Sequence, residues 1–259
     1  MKFKLPTSLE PFRKEFEKTA LDCIRISKAE GEPKLWESKL GGHPYLPKNV
    51  TFPKNAEGKD LVFLAQINFE EAPHLDPFPT SGILQFFIND DDLYGLDFDN
   101  QLVQNNFRII YYDDTILKQE NNLITDFSFL RAYDFTPHML NESYKFQFEI
   151  KKELVPVSDF QSGKEIGKSL STVDDDTIDE YNDLHLSSGH KMGGYAHFTQ
   201  EDPRSYDKSM QNLMLLLQLD TDPNMEIMWG DCGICNFFID PKKLAKKDFS
   251  EVMYNWDCC

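Results

Sequence analysis

The sequence predicts an α+β fold: a mainly antiparallel β unit duplicated about a pseudo-twofold axis, with terminal helices covering the sheets. Three observations predict it. Short apolar runs bounded by Pro, Gly, Asn or Asp fill the middle of the chain. Several of these runs recur in the same order. Helix-start signals sit near both ends.

At the N-terminal end, Thr7 or Ser8 is placed to cap a helix, with Glu10 completing a capping box and Pro11 within the first turn. Phe12, Phe16, Ala20, Cys23 and Ile24 then share one helical face. Strands are expected at 61–69, 82–88, 107–112, 144–150, 213–219 and 234–239. The clearest is 144–150, where Tyr144, Phe146, Phe148 and Ile150 alternate with Lys145, Gln147 and Glu149. The acidic stretches 89–106 and 174–185 read as loops. At the other end, Asp240-Pro241 reads as cap and first helical residue. A second helix start at Asp248 with Glu251 precedes Phe249, Val252, Met253 and Trp256 at helical spacing.

The repeat is the strongest organising signal. Lys39-Leu40-Gly41-Gly42 matches Lys191-Met192-Gly193-Gly194, and the same shift (191 − 39 = 152) carries 61–68 onto 213–220 without a gap. One deletion then aligns 81–89 with 232–240. Each copy, at about 39–89 and 191–240, holds a Gly-Gly turn, an apolar strand ending in Gln and then Asn or Asp, and a Gly-led aromatic strand. Exposed apolar strands need a cover, so the copies are expected to pack together within a single compact unit spanning 1–259.

Composition narrows the function classes. The chain has 259 residues, of which 40% are hydrophobic and 13% aromatic, enough for a large core. The first residues lack the apolar stretch of a secretory signal, and no run approaches the roughly 18 apolar residues of a membrane span. Five cysteines without an export signal read as reduced thiols, so a cytoplasmic location is expected. Lys and Arg number 27 against 44 Asp and Glu, a net charge of −17, which argues against nucleic acid as partner and permits a basic protein.

The segments Lys39-Leu40-Gly41-Gly42-His43-Pro44, His190-Lys191-Met192-Gly193-Gly194-Tyr195 with Gln200, Leu216-Leu217-Gln218-Leu219-Asp220 and Met228-Trp229-Gly230-Asp231-Cys232-Gly233 together resemble the bacterial YwqG-like family of uncharacterised proteins. The resemblance implies a bacterial cytoplasmic protein and carries no reaction, ligand or catalytic residue with it. Ala196 departs from the proline common after Gly-Tyr in that family.

Cys232-x-x-Cys235 has metal-ligand spacing, with Cys258 and Cys259 as further thiols. The repeat argues against zinc, because Cys235 aligns with Leu84 and Cys232 with Ser81. No metal and no cofactor are expected. Where the copies differ, His190, Tyr195 and His197 stand in place of Ser38, His43 and Tyr45, so titratable chemistry is concentrated in the second copy. If a small-molecule site exists, it is expected between the copies, lined by His190, Tyr195, His197 and Trp229, with Asp231 nearby. Gln66 and Gln218 hold equivalent places in apolar strands, where each amide must find partners. They either tie their strands to the Gly-Gly turns or line a cleft between the copies. The runs 90–92 and 174–176 lack the glycine and glutamate of a calcium loop and read as solvated.

No nucleotide-binding glycine loop, nucleophile elbow or His-Glu-x-x-His motif is present. Three readings stay open. The first is an interaction protein, immunity-like toward a basic partner. The second is a small-ligand-binding module with a cleft between the repeats. The third is an enzyme of unrecognised type, and the balance points to binding rather than catalysis.

Overall fold

The computed structural model describes residues 2–113, 122–139 and 142–258. Its main element is one ten-stranded sheet. In chain order the strands are β1 (Leu21–Lys28), β2 (Lys39–Gly41), β3 (Val62–Asn68), β4 (Ile83–Ile88), β5 (Phe107–Tyr112), β6 (Ser143–Glu153), β7 (Lys191–Gly193), β8 (Met214–Asp220), β9 (Ile234–Ile239) and β10 (Val252–Asp257). Their order across the sheet is β10-β9-β8-β7-β1-β6-β2-β3-β4-β5, and every neighbouring pair is antiparallel.

The order is symmetric about the central β1–β6 pair. Outward on one side lie β2 to β5, and on the other β7 to β10. Each half gives its first strand to the other: β1 lies against β7 and β6 against β2. In the central ladder Ser27 faces Gln147, whose Nε2 donates to Ser27 Oγ over 3.0 Å. The β3–β4 register slips between Phe63 and Ala65, and the β8–β9 register slips between Leu215 and Leu217.

β4 and β9 are buried at every position, so apart from Gln85 and Asn236 they read as apolar runs rather than alternating ones. The sheet curls until these strands meet. The rings of Phe86 and Phe237 lie 4.9 Å apart and those of Phe107 and Tyr254 5.2 Å apart. Tyr254 Oη donates to Tyr94 O at 3.0 Å and Trp256 Nε1 to Leu93 O at 2.6 Å, tying the 89–106 segment across the junction.

Several expectations need correcting. The N-terminal helix is a 3₁₀ turn, Thr7–Phe12, followed by one short helix, α1 (Arg13–Lys18). Glu10 completes no capping box, because its carboxylate binds Arg13 Nε at 2.8 Å. Cys23 and Ile24 belong to β1, which is paired along both edges, and two-sided pairing outweighs their helical spacing. At the other end Asp240 does cap a helix, α5 (Pro241–Ala245), by accepting from Lys242 N–H. The second helix does not form: Asp248 accepts from Ser250 N–H and Oγ in a turn, and Val252, Met253 and Trp256 lie on β10.

The acidic stretch 174–185 is helical, as α4 (Asp175–Leu184). Asp174 caps it through Thr177 N–H, and Asp175 and Asp176 suit the positive end of its dipole. Two further one-turn helices, α2 (Ser162–Glu165) and α3 (Gly167–Leu170), gave no sequence signal. The helical layer expected at each end is thus reduced to short pieces. Most gather round Phe16, Leu154, Ile166, Leu170, Tyr181 and Tyr195. On β6 the predicted buried face fails at Ile150, which is 43% exposed, because β2 pairs only with Ser143–Lys145. Among the described residues no helix is long and apolar enough to cross a membrane.

Candidate functional site

Gln66 and Gln218 are both fully buried. Gln66 Oε1 accepts from Tyr45 N–H at 2.9 Å and Gln85 Nε2 at 3.0 Å, while its Nε2 donates to Leu35 O and Glu37 O, each at 2.8 Å. Every hydrogen-bonding direction of that amide is used. Gln218 Oε1 accepts from His197 N–H at 2.8 Å, and its Nε2 donates to Ser187 O at 2.8 Å and Gly189 O at 2.7 Å. Both glutamines therefore bind the chain on either side of their Gly-Gly turns, and neither lines the hollows described below.

His190 is 4% exposed. Its Nδ1 accepts from Asp220 N–H at 3.0 Å, so the ring proton sits on Nε2 and points to Asp222 Oδ2 at 3.3 Å. That hydrogen bond is the main reason the Asp222 carboxyl is pulled down to about 2. Ser38 Oγ does the same work in the first half, accepting from Asn68 N–H at 2.8 Å. Tyr195 Oη donates to Thr19 O, and its N–H to Glu153 Oε1, both at 2.6 Å. His197 is half-buried, its Nδ1 has no hydrogen-bond partner among the described residues, and burial pushes its pKa down. Trp229 is fully buried beside Tyr94, whose ring lies edge-on at 5.5 Å. Asp231 is exposed on the turn before β9. The structure does not gather these residues: Tyr195 packs with the helical cluster, Trp229 sits in the main core, and only His190 approaches a hollow, through Asp222.

Two buried lysines were not singled out in the sequence. Lys191 is fully buried, and its Nζ lies 2.8 and 3.0 Å from the two oxygens of Glu153. Arg25 Nη2 reaches the same carboxylate at 3.1 Å. Lys39, 2% exposed, has no such partner in contact among the described residues and donates to Lys34 O and Leu35 O at 3.0 and 3.2 Å. Burial pushes it down to about 7. The signal for both was a lysine inside an otherwise apolar strand directly before a Gly-Gly turn.

Cys23, Cys232, Cys235 and Cys258 are free thiols. Cys235 is fully buried while Cys232 is exposed, and Cys259 lies outside the described residues. Among the described residues no group of three or more His, Cys, Asp or Glu is arranged to hold a metal ion.

The larger hollow, about 880 Å³, is a groove where the two halves of the sheet meet. The end of β1, the loop after it, the start of β6 and the 222–226 turn form its walls. Five carboxylates line it, from Glu30, Glu32, Glu142, Asp222 and Glu226, against two ammonium groups, from Lys28 and Lys145. Both lysines are engaged: Lys28 Nζ donates to Asn224 O at 2.9 Å and sits 4.4 Å from the Tyr144 ring centroid, and Lys145 pairs with Glu37 at 3.0 Å. Tyr144 Oη hydrogen-bonds Glu226. A smaller hollow, about 340 Å³, lies under the 127–138 segment.

Residues 38–258 match the family described as "Domain of unknown function (DUF1963)", and the chain belongs to it. No curated protein matches the chain.

Proposed function

We propose, with membership of this family as the premise, that the protein binds rather than catalyses, and that the groove between the two halves receives a basic segment of a partner protein. The observation that carries this reading is the excess of carboxylates on the groove walls, where one lining lysine is paired with Glu37 and the other is bound to Asn224 O. Lys28 over the Tyr144 ring shows how a cation sits there, between an aromatic face and nearby acids. The net charge of −17 draws such a partner in from a distance. Neutralising a basic protein in this way is an immunity-like role. The test is calorimetric titration with a Lys/Arg-rich peptide. Binding at about 50 mM salt that weakens about tenfold by about 300 mM supports the reading; no binding at either concentration overturns it.

The seating of His190 on Asp222 at the groove wall favours a second reading, a small cationic ligand in the same groove. Saturable binding of spermidine without binding of the peptide would select it.

We also propose that the halves arose by duplication and that the chain is a YwqG-like bacterial cytoplasmic protein. The mirrored strand order, the matching register slips and the equivalent glutamine bonds support the first. The motif set from Lys39 to Gly233 supports the second. An experimental structure in which 39–89 and 191–240 fail to superpose would remove the duplication.

A further inference from the structure

The groove between the halves holds a cation of its own. Lys28 is the last residue of β1, and its partner across the central ladder is Phe146 on β6. Residues two apart on a strand share a face, so Tyr144 lies diagonally across from Lys28. Lys28 Nζ sits 4.4 Å from the centroid of the Tyr144 ring and donates to Asn224 O at 2.9 Å. The ring comes from the centre of the sheet and the carbonyl from the 222–226 turn, so this seat spans the junction of the two halves.

Carboxylates gather around it. Tyr144 Oη hydrogen-bonds Glu226. Burial, that bond, and the charges of Glu226, Glu142 and Glu32 raise the hydroxyl to about 12. The same three acids favour any positive charge placed over the ring. Lys28 nevertheless takes little from them: among the described residues its ammonium bonds a neutral carbonyl and no carboxylate.

The two lysines of the groove therefore differ. Lys145 is partly buried and paired with Glu37 at 3.0 Å. Lys28 is exposed, as are Asn224 and Glu226, so its ammonium can pass into water without leaving a buried charge unpaired. Its backbone is held independently, by the β1–β6 ladder and by Ala29 N–H donating to Lys145 O at 2.7 Å. The side chain is free to leave while the strand stays.

Resting on the reading that the groove receives a basic segment, we infer that the Tyr144 ring, Asn224 O and the Glu226 carboxylate form the subsite for a lysine ammonium of the partner, and that Lys28 fills this subsite in the free protein and yields it on binding. Lys28 is an internal competitor. It lowers the apparent affinity by the fraction of molecules in which it is seated. A lysine that served only to tether the 222–226 turn would have the opposite effect, because removing it would loosen the groove wall and weaken binding.

The test titrates the full chain, Lys28→Gln and Lys145→Gln with a Lys-rich peptide. Each variant removes one positive charge from the groove, so a general charge effect raises both affinities alike. Lys28→Gln is expected to bind about tenfold tighter than the unaltered chain, with Lys145→Gln within about threefold of it. In the unaltered protein, the ε-methylene protons of Lys28, shielded by the Tyr144 ring, are expected to move downfield as the peptide binds; this readout needs no variant to fold. Equal gains in both variants, weaker binding by Lys28→Gln, or ε-methylene protons that stay shielded in the complex overturn the inference and leave the reading of the groove standing. Absence of peptide binding by all three proteins removes that reading and this inference with it.

Discussion

Gln66 and Gln218 bind backbone groups at the same sequence separations. Each Oε1 accepts the backbone N–H of the residue 21 positions earlier, Tyr45 or His197. Each Nε2 donates to carbonyls 31 and 29 positions earlier, Leu35 and Glu37 in one half, Ser187 and Gly189 in the other. One side chain thus fixes the entry and exit of a Gly-Gly turn against a buried part of its strand.

Replacing either amide by Leu leaves several buried backbone groups unpaired. Gln66→Leu and Gln218→Leu are each expected to cost about 3 kcal/mol or more in urea unfolding. A loss below about 0.5 kcal/mol for either would show that the turns hold themselves.

The Gly-Gly turns need glycine for two reasons. Gly194 has φ +67°, and a Cβ there would collide with Glu153 Oε1, the atom that accepts Tyr195 N–H. Gly31 has a similarly positive φ of +86° with open space around it. Gly194→Ala is expected to destabilise by about 3 kcal/mol or more, and Gly31→Ala by only about 1 kcal/mol. Equal effects on thermal unfolding would show that backbone strain alone matters.

Lys39 gives the stability an unusual pH dependence. Its pKa is depressed to about 7 in the folded chain from 10.5, so between those values the unfolded chain holds more protons. Its contribution therefore makes stability rise as pH increases from about 7 to 10.5, and below pH 7 the cost of burying the charge is constant. Lys39→Met should flatten this rise in denaturant midpoints across the window. An unchanged slope would mean that Lys39 stays charged or takes no part.

Asp222 acts on the acid side, and its lowered pKa likewise makes stability rise with pH, here because the charged form is stabilised. Its pKa is lowered to about 2 from 3.8, so its stabilisation is present above pH 3.8 and is lost as pH falls toward 2. Asp222→Asn should remove that part of the acid dependence, and an unaltered acid-unfolding curve would count against the His190–Asp222 bond.

Strands 107–112 and 234–239 lie where expected, the second buried at every position. β1 and β10 were misread because Phe16, Ala20, Cys23 and Ile24, and Val252, Met253 and Trp256, satisfy helical spacing by accident. Local pattern cannot separate a short buried strand from a helix turn. Pairing along both edges of β1, and of β10 with β9, decided those segments, and pairing partners are remote in sequence. The equivalence of Gln66 and Gln218 was legible because the repeat aligned them. The walls of the smaller hollow were not, because His43 and His138 come from unrelated segments joined only by the fold. The groove acids were equally scattered, so their sum was visible as charge but their location was not.

The central claim is that the groove between the halves receives a basic partner. Titrating nitrogen-15-labelled protein with an Arg-rich peptide at low salt, and comparing it with a variant carrying Glu30→Gln, Glu32→Gln and Glu142→Gln, tests it most directly. The account predicts the largest shifts at Lys28, Gly31, Tyr144 and Asn224, with affinity about tenfold or more weaker in the variant. Shifts confined to other surfaces, or undiminished affinity in the variant, would contradict it.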